Sequence, residues 1–193
     1  MVPRPRAGEP GPGGRAVFLD RDGTLIVDRH YLGDPEGVEL LPGAREGIHR
    51  LRELSYRLFL FTNQSGIGRG WITREQVDAC NRRMEERLGL AEGFAGIGVA
   101  PERPDEPAVY RKPSPRYLRE CVDRFHLDPA ACWMVGDQPR DVEAGRAAGM
   151  GVARIIAEGV RCPETGAPAF PDLAAFARWR AEEETGRTGG DHG

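Results

Sequence analysis

Short apolar runs alternate with candidate helices along this chain, and that alternation is the feature that most constrains its fold. Five runs of four to six residues, rich in β-branched and aromatic side chains, are expected to be strands. They span 16–19, 57–61, 96–100, 132–135 and 151–156. Helices between successive strands favour a parallel sheet, because parallel neighbours need a long crossover. The pattern therefore predicts an α/β fold with a parallel sheet and helices on both faces.

Helix-start signals support the same interpretation. Thr73 to Gln76 has a capping-box pattern, and Ser114 stands before a first-turn proline, Pro115. We expect helices to begin near Gly43, Thr73, Ser114, Arg140 and Asp172. In a parallel sheet of this kind the ligand lies outside the carboxyl ends of the strands. The residues that follow each strand are therefore the candidates for a functional site.

Length and composition indicate one soluble domain. The 193 residues suit a single core, which we place at 15–184, between a disordered leader at 1–14 and a disordered tail at 185–193. A net charge of −3 makes nucleic-acid binding through bulk charge an unexpected function. No apolar stretch approaches the roughly 18 residues of a membrane helix, and residues 1–15 lack the apolar core of a signal peptide. We expect a cytoplasmic protein with no membrane partner.

The four cysteines are expected to be reduced thiols. Cys80, Cys121, Cys132 and Cys162 show no Cys-x-x-Cys pairing and no neighbouring histidine at metal-ligand spacing. A free cysteine within a helix or strand usually behaves as a small hydrophobic residue. The sequence therefore predicts no structural zinc.

Two aspartates close the first predicted strand. Asp20 and Asp22 are two residues apart, so in an extended chain both carboxylates face the same side, and Gly23 then allows a sharp turn. An acidic turn after a strand is one explanation, since Asp and Gly are ordinary turn residues. The other is a functional pair, because two carboxylates held this close need a cation or a proton.

Polar residues follow the other strands as well. The loop 62–70 carries a hydroxyl, amides and three glycines, and could present backbone N–H groups to an anion. Lys112 precedes a predicted helix, and Asp137 follows the fourth strand. Two explanations of Asp141 remain open. It supports a metal site from behind the metal ligands, or it is a first-turn acid favoured by the helix dipole. Together these residues place carboxylates, a hydroxyl and a lysine at one sheet edge.

This set of side chains suits phosphoryl transfer. Oxygen ligands from Asp20, Asp22 and Asp137 are typical of Mg²⁺ rather than zinc. Asp20 is the candidate nucleophile that forms an aspartyl phosphate, and Asp22 is the candidate acid and base. Thr62 would donate a hydrogen bond to the transferring group, and Lys112 would neutralise the phosphate.

The chain resembles the haloacid dehalogenase superfamily of phosphohydrolases, whose four motifs match in order. Motif one is similar to residues 20–24, motif two to Thr62, motif three to Lys112, and motif four to Asp137 with Asp141. The resemblance covers about 15–156 and implies a Rossmann-like sheet. Within the superfamily, segments 18–24, 27–31, 62–70 and 111–113 resemble the heptose bisphosphate phosphatases and their relatives, the histidinol-phosphate phosphatases.

The narrower resemblance implies a substrate site without a large cap domain. The residues that it assigns to that site are Asp28, Arg29, His30, Tyr31, Thr62, Asn63, Gln64, Ser65, Arg111, Lys112 and Gln138. Arg111 would recognise the distal part of the substrate. The leading hypothesis is a monomeric, Mg²⁺-dependent phosphatase that removes the 7-phosphate of D-glycero-D-manno-heptose 1,7-bisphosphate. The alternatives are a histidinol-phosphate or polyol phosphatase, a nucleic-acid end phosphatase and a non-catalytic phosphosugar-binding domain.

Three positions depart from the family pattern. Typical members carry a Cys and His zinc loop before motif three, whereas 99–110 contains neither residue type, and its prolines are expected to stiffen it instead. Gln138 stands where a lysine usually follows the motif-four aspartate, and Ile26 replaces a frequent asparagine. These departures fall on the substrate side of the site, so they bear on specificity rather than on the chemistry.

Overall fold

The computed structural model describes residues 13–157 and 164–188. It contains one parallel sheet of six strands in the order β3-β2-β1-β4-β5-β6. The strands are β1 Ala16–Leu19, β2 Arg57–Asn63, β3 Gly96–Ala100, β4 Trp133–Gly136, β5 Gly151–Ile155 and β6 Ala169–Phe170. All five neighbouring pairs are parallel, which confirms the predicted sheet. The two-residue β6 was not predicted, because so short an element has no sequence periodicity.

The described residues form six α-helices, five of them between strands and the last after β6. They are α1 Ala44–Glu53, α2 Ser65–Gly68, α3 Arg74–Leu88, α4 Arg116–Phe125, α5 Pro139–Ala147 and α6 Leu173–Thr188. The predicted capping box at Thr73 is present, with both reciprocal hydrogen bonds. Helix α4 begins two residues after Ser114, and its N-cap is Pro115, so Ser114 is not the N-cap. The short helix α2 was expected to be a loop, because its glycines have low helix propensity.

Side chains alternate between two cores on opposite faces of the sheet, as the period of a strand requires. Val17 and Leu19 pack with α1, α3 and α6 on one face. Ala16 and Phe18 pack with α4 and α5 on the other. The central strand β1 is wholly buried, so the residues that follow its carboxyl end start from inside the molecule.

The connections leave no room for a large cap. Between β1 and β2 lie a 3₁₀ turn, Pro35–Gly37, and α1; between β2 and β3 lie α2 and α3. Both connections fall wholly within the described residues. The predicted absence of a large cap domain is therefore confirmed for this part of the chain.

The predicted boundaries of the two terminal segments agree with the structure only in part. Gly14, assigned to the leader, forms a bridge with Leu127, and α6 runs to Thr188, past the boundary placed at residue 184. Residues 1–12 and 189–193 lie outside the described residues, as does Cys162. Cys80, Cys121 and Cys132 are buried free thiols, as expected. Among the described helices none has the length and apolar character needed to cross a bilayer.

Candidate active site

The carboxyl ends of β1, β2 and β4 bring the predicted site residues together. Strand β1 lies between the other two, so Asp20 at its end has Thr62 on one side and Asp137 on the other. The backbone N–H of Asp20 donates to the Val135 carbonyl at 2.9 Å, which keeps the aspartate in register with β4. The sequence prediction that these strand ends converge is confirmed.

The floor of the site is a lysine held by three acceptors. Lys112 Nζ lies 2.8 Å from the Phe61 carbonyl oxygen, 2.9 Å from Asp20 Oδ1 and 2.7 Å from Asp141 Oδ1. Its side chain is fully buried. The ammonium therefore donates a hydrogen bond to the carbonyl and forms ion pairs with both carboxylates. Burial lowers the pKa of Lys112, but the charges of Asp141 and Asp20 outweigh it and raise the pKa above its usual value, which keeps the amine protonated.

Lys112 is the only lysine among the 27 lysine and arginine residues of the chain. A compact ammonium fits three converging acceptors, whereas the flat, five-donor guanidinium of arginine does not. The side chain of Asn63 fixes the lysine backbone, since its Oδ1 accepts from Lys112 N at 2.9 Å and its Nδ2 donates to Lys112 O at 3.2 Å. Asn63 was predicted to bind substrate, yet its amide is used to position Lys112.

Asp141 takes part both in the N-terminus of a helix and in the charged floor of the site. It is the third residue of α5, and its Oδ2 accepts from Gln138 N at 2.9 Å, which completes the helix N-terminus. Its Oδ1 pairs with Lys112, and the residue is wholly buried. The same carboxylate therefore caps a helix and anchors the lysine.

Asp22 is held by two side chains that sequence reasoning did not connect to it. Arg21 makes a bidentate contact, with Nε 3.1 Å from Asp22 Oδ2 and Nη2 3.1 Å from Oδ1. Gln64 Nε2 donates to Asp22 Oδ2 and to Thr62 Oγ1, both at 2.8 Å. Burial raises the pKa of Asp22, while the charge of Arg21 opposes that shift. The carboxyl is fixed in place and biased toward its protonated form.

Three carboxylates form a group that could hold a metal ion. One oxygen from each of Asp20, Asp137 and Asp141 lies within 4.8 Å of the others. Asp22, predicted as a metal ligand, is not in this group, because its carboxylate is turned toward Arg21 and Gln64.

The Asp137 carboxylate gives the clearest sign that a cation fits. Its Oδ1 is buried and has no hydrogen-bond partner among the described residues. Burial, together with the negative charge of Asp20, raises the pKa of Asp137 to about 7. A hard divalent cation would relieve both effects, and an all-oxygen donor set suits Mg²⁺. Gly23, at a φ of 76°, makes the close approach possible, since a Cβ there would lie 2.7 Å from Asp137 Oδ2.

A polar cavity of about 280 Å³ opens above this floor. Its walls come from the strand ends, the turn after β1 and the start of α5. The lining residues are Asp20, Asp22, Asp28, His30, Tyr31, Thr62, Asn63, Gln64, Ser65, Asp137, Gln138 and Arg140. A small phosphorylated molecule fits a cavity of this volume.

Three predicted substrate residues do not line the cavity. Lys112 forms the floor but is fully buried and paired with Asp20, so it is not exposed to the cavity. Arg29 forms an exposed ion pair with Glu39 at 2.5 Å. Arg111 donates to the Glu102 carbonyl at 3.2 Å, in the loop that precedes Lys112. Arg29, predicted to bind substrate, is thus paired with Glu39 outside the set of residues that line the cavity.

Two residues of the site were missed by sequence reasoning. Arg21 lies between two aspartates, where strand alternation would direct it away from them, and no pattern signals its contact with Asp22. Arg140 lines the cavity from the first turn of α5. A charged residue at a helix start usually faces solvent, so its sequence position gave no signal.

The comparisons with known proteins agree with this geometry. A family model described as haloacid dehalogenase-like hydrolase matches residues 19–149. A Yersinia pestis protein named D-glycero-beta-D-manno-heptose-1,7-bisphosphate 7-phosphatase is 34% identical over 172 residues, covering 85% of this chain and 88% of that protein. The Escherichia coli K12 protein of the same name is 33% identical, with 85% and 86% covered.

Solved structures are similar over most of this chain. A D,D-heptose 1.7-bisphosphate phosphatase from B. bronchiseptica, complexed with magnesium and phosphate, has a TM-score of 0.77 and 31% identity. The alignment covers 88% of this chain and 99% of that one. A putative HAD-like phosphatase from Mesorhizobium loti has a TM-score of 0.77 and 30% identity, with 94% and 91% covered.

Proposed function

This chain belongs to the haloacid dehalogenase-like hydrolases, and from that premise we propose that it is a Mg²⁺-dependent phosphomonoesterase acting through an aspartyl phosphate. The observation that carries the proposal is the Lys112 ammonium between Asp20 and Asp141, directly beneath a polar cavity. Asp20 Oδ1 accepts from Lys112 and from the Arg21 N–H, whereas Oδ2 has no hydrogen bond within the described residues. One carboxylate oxygen is therefore anchored and the other is left to react.

The metal site supports a role in binding the phosphate. Asp20 and Asp137 would hold Mg²⁺, and Asp141 would support them through Lys112. When bound, the ion supplies positive charge to the phosphate oxygens and lowers the repulsion between the phosphate and Asp20. The magnesium and phosphate named in the B. bronchiseptica structure support the same choice of ion.

The first chemical step is attack on phosphorus. Asp20 Oδ2 forms a bond to the phosphorus atom, and the bond from phosphorus to the sugar oxygen breaks. Lys112 acts through Asp20, because its ammonium fixes the other carboxylate oxygen and does not line the cavity. Orientation of this kind makes the reaction effectively unimolecular.

Asp22 supplies the proton that the departing sugar oxygen needs. Its raised pKa suits a general acid, and Arg21 with Gln64 aims the carboxyl into the cavity. In the second step the resulting carboxylate takes a proton from water as that water attacks phosphorus. The bond between phosphorus and Asp20 then breaks, inorganic phosphate leaves, and both aspartates return to their starting states.

Thr62 is a hydrogen-bond donor to the transferring group. Its hydroxyl is buried, lines the cavity and accepts from Gln64 Nε2 at 2.8 Å. Because the oxygen already accepts a hydrogen bond, its own O–H is left to donate. A donor aimed at the equatorial oxygens stabilises charge that develops in the transition state.

The substrate that we propose is D-glycero-β-D-manno-heptose 1,7-bisphosphate, with the 7-phosphate removed. The names of the relatives at 33–34% identity support this choice, and the size and polarity of the cavity agree with a sugar phosphate. Asp28, His30, Tyr31 and Ser65 lie on its walls, where hydroxyl groups of a sugar would bind. We also propose that the enzyme acts as a cytoplasmic monomer on free metabolites and needs no zinc.

The test is a substrate comparison with purified protein. Heptose 1,7-bisphosphate, histidinol phosphate and a 3′-phosphorylated oligonucleotide are assayed for phosphate release with Mg²⁺ and after chelation. We expect Mg²⁺-dependent turnover of the heptose bisphosphate at the highest kcat/KM. Selective turnover of histidinol phosphate would contradict the substrate, and full activity after chelation would contradict the metal requirement. Stoichiometric zinc in elemental analysis would contradict the zinc-free assignment of loop 99–110.

A further inference from the structure

Asn81 is a polar residue on the core face of α3. The buried positions of this helix recur at helical spacing, and the other four of them are apolar: Val77, Cys80, Met84 and Leu88. Asn81 is 2% exposed and is not among the residues that line the cavity. Its Nδ2 is buried without a hydrogen-bond partner among the described residues, which costs stability. The packing of α3 therefore does not explain an asparagine at this position.

The side-chain oxygen of Asn81 contacts a charged residue of the site. It accepts a hydrogen bond from Arg21 Nη1 at 3.2 Å. The Arg21 residue is only 1% exposed, so its charge must find its partners inside the protein. Asp22 supplies the counter-charge, through Nε and Nη2 of the same guanidinium group. One side chain thus joins α3 to the carboxyl that we assign as the acid.

The contact with Asn81 fixes the guanidinium from outside the turn that follows β1. The backbone of Arg21 is held within that turn, since its carbonyl accepts from Leu25 N at 2.9 Å and from Ile26 N at 3.1 Å. Its side chain and that of Asp22 start from neighbouring residues, so the pair alone could rotate together and keep its hydrogen bonds. A third hydrogen bond, made to a packed helix, removes that freedom.

A neutral acceptor suits this position. A carboxylate at position 81 would compete with Asp22 for the guanidinium charge, whereas an amide oxygen orients the group and leaves the charge to Asp22. From another direction, Gln64 Nε2 donates to Asp22 Oδ2 at 2.8 Å. The carboxyl of Asp22 therefore lies between a charged donor anchored on α3 and a neutral donor that follows β2.

We propose that Asn81 is a positioning residue for proton transfer by Asp22. Through Arg21 it holds the carboxyl where its proton can reach the departing sugar oxygen. In that step the O–H bond of Asp22 breaks, the proton bonds to the sugar oxygen, and the electron pair of the breaking phosphorus–oxygen bond stays on that oxygen. This inference rests on the proposed function, because it takes Asp22 to be the acid.

The experiment compares two leaving groups. A sugar oxygen needs a proton to depart, whereas p-nitrophenolate departs without one. The substrates are p-nitrophenyl phosphate and the sugar phosphate with the highest turnover in the substrate comparison. The measured quantity is kcat/KM, which includes attack on phosphorus but not the later hydrolysis of the aspartyl phosphate. For Asn81→Leu and for Asn81→Ala we expect the ratio of sugar phosphate to p-nitrophenyl phosphate to fall roughly 10- to 100-fold.

The matched control is Met84→Ala. It changes the packing of the same buried face of α3 but removes no hydrogen bond to Arg21. Thermal melts should show a loss of stability for this variant, while its ratio of kcat/KM values should equal that of the wild type. A fall in the Met84→Ala ratio as large as that of Asn81→Leu would mean that α3 acts through packing alone, and would overturn the inference.

Asp22→Asn separates this inference from the proposed function. It should lower the ratio roughly 10²- to 10⁴-fold, and adding Asn81→Leu to it should change the ratio by less than about twofold. If Asn81→Leu keeps the wild-type ratio, or if the two effects multiply in the double variant, the inference is overturned and the proposed function stands. If Asp22→Asn itself keeps the wild-type ratio, the acid role in the proposed function is contradicted and the inference fails with it.

Discussion

The floor and the wall of the cavity satisfy their charges in different ways. On the floor, Lys112 donates to the Phe61 carbonyl and forms ion pairs with Asp20 and Asp141, and each of these contacts is 2.9 Å or shorter. On the wall, Arg140 is half-buried and has no partner within the described residues. The charge of Lys112 is thus balanced without a ligand, whereas that of Arg140 has no counter-charge among the described residues.

That difference separates catalysis from specificity. A satisfied buried network is rigid, which holds Asp20 in the geometry for attack. A half-buried cation without a partner is expected to act on affinity instead, because an anionic ligand would supply its counter-charge. Substitutions on the floor should therefore lower kcat and stability, and substitutions on the wall should change KM and substrate preference.

The largest expected effect concerns the nucleophile. Asp20→Asn should lower the rate of hydrolysis by roughly 10⁴-fold or more, because the amide cannot attack phosphorus. The matched control is Asp28→Asn, the same chemical change at an exposed wall residue, which should act mainly on KM. Steady-state kinetics and thermal melts of both variants test this. Comparable losses of kcat in the two variants would remove the distinction between floor and wall.

The next effect is on stability. Lys112→Met should lower the free energy of unfolding by about 3–5 kcal/mol, because two buried carboxylates lose their cation. Lys112→Arg should also destabilise, since a guanidinium does not match the three acceptors. The exposed Arg146→Met should change stability by no more than about 0.5 kcal/mol. Urea unfolding measures all three, and an unchanged Lys112→Met midpoint would contradict the account of the floor.

The destabilisation by Lys112→Met should depend on pH. Burial raises the pKa of Asp141, so without the lysine its folded-state pKa lies above its unfolded value of about 3.9. A raised folded-state pKa gives stability that is present below the unfolded pKa and is lost as the pH rises through the folded pKa. The difference from the wild type should therefore grow from pH 4 to pH 7. A difference that shrinks over this range would contradict the predicted sign.

A smaller effect separates two neighbours that were both predicted to bind substrate. Asn63→Leu breaks two hydrogen bonds to the Lys112 backbone and should cost about 1–3 kcal/mol of stability together with part of kcat. Ser65→Ala removes a hydroxyl from the wall and should raise KM with little change in stability. Urea titration and kinetics of this pair decide the point. If Asn63→Leu changed KM alone, Asn63 would act by binding substrate and not by positioning Lys112.

The smallest effect concerns the packed core beneath the floor. Burial raises the pKa of Cys121 and of Cys132 to about 11, so both are protonated at pH 8 and should react slowly with iodoacetamide until the protein is unfolded. A raised folded-state pKa also means that the protonated thiols favour the folded state. That contribution to stability should be lost as the pH rises from about 9 toward 11. Mass spectrometry of labelled peptides, native against denatured, is the measurement. Rapid native labelling at either cysteine would contradict a closed core.

The floor was largely predictable because it follows from the chain order of strands. A polar residue stands at or near the end of each of three strands: Asp20, Thr62 and Asp137. The carboxyl ends of parallel strands lie at the same edge of the sheet. The contact between Lys112 and Asp141 was not predictable, because it joins a loop to a helix start and no periodicity connects them. The sequence also does not indicate that one oxygen of Asp141 accepts from the helix N-terminus while the other pairs with Lys112.

The wall was predicted less well for a physical reason. A turn directs neighbouring side chains to different sides, so the four consecutive residues assigned to the substrate site from 28 to 31 divide, and Arg29 turns away to Glu39. Arg140 has the sequence appearance of an ordinary surface arginine, and only its place in the cavity distinguishes it. Loop and helix-start residues depend on tertiary geometry that strand and helix periods do not encode.

The most direct test of the account is the detection of a phosphoryl group on Asp20. Enzyme mixed with heptose 1,7-bisphosphate and Mg²⁺ is quenched with acid within one turnover, digested and analysed by mass spectrometry; Asp22→Asn is used in parallel to slow hydrolysis of the intermediate. The account predicts one added phosphoryl group on the peptide that contains Asp20, absent in Asp20→Asn. Release of phosphate at the wild-type rate with no phosphopeptide at any time, or a phosphoryl group on another residue, would contradict it.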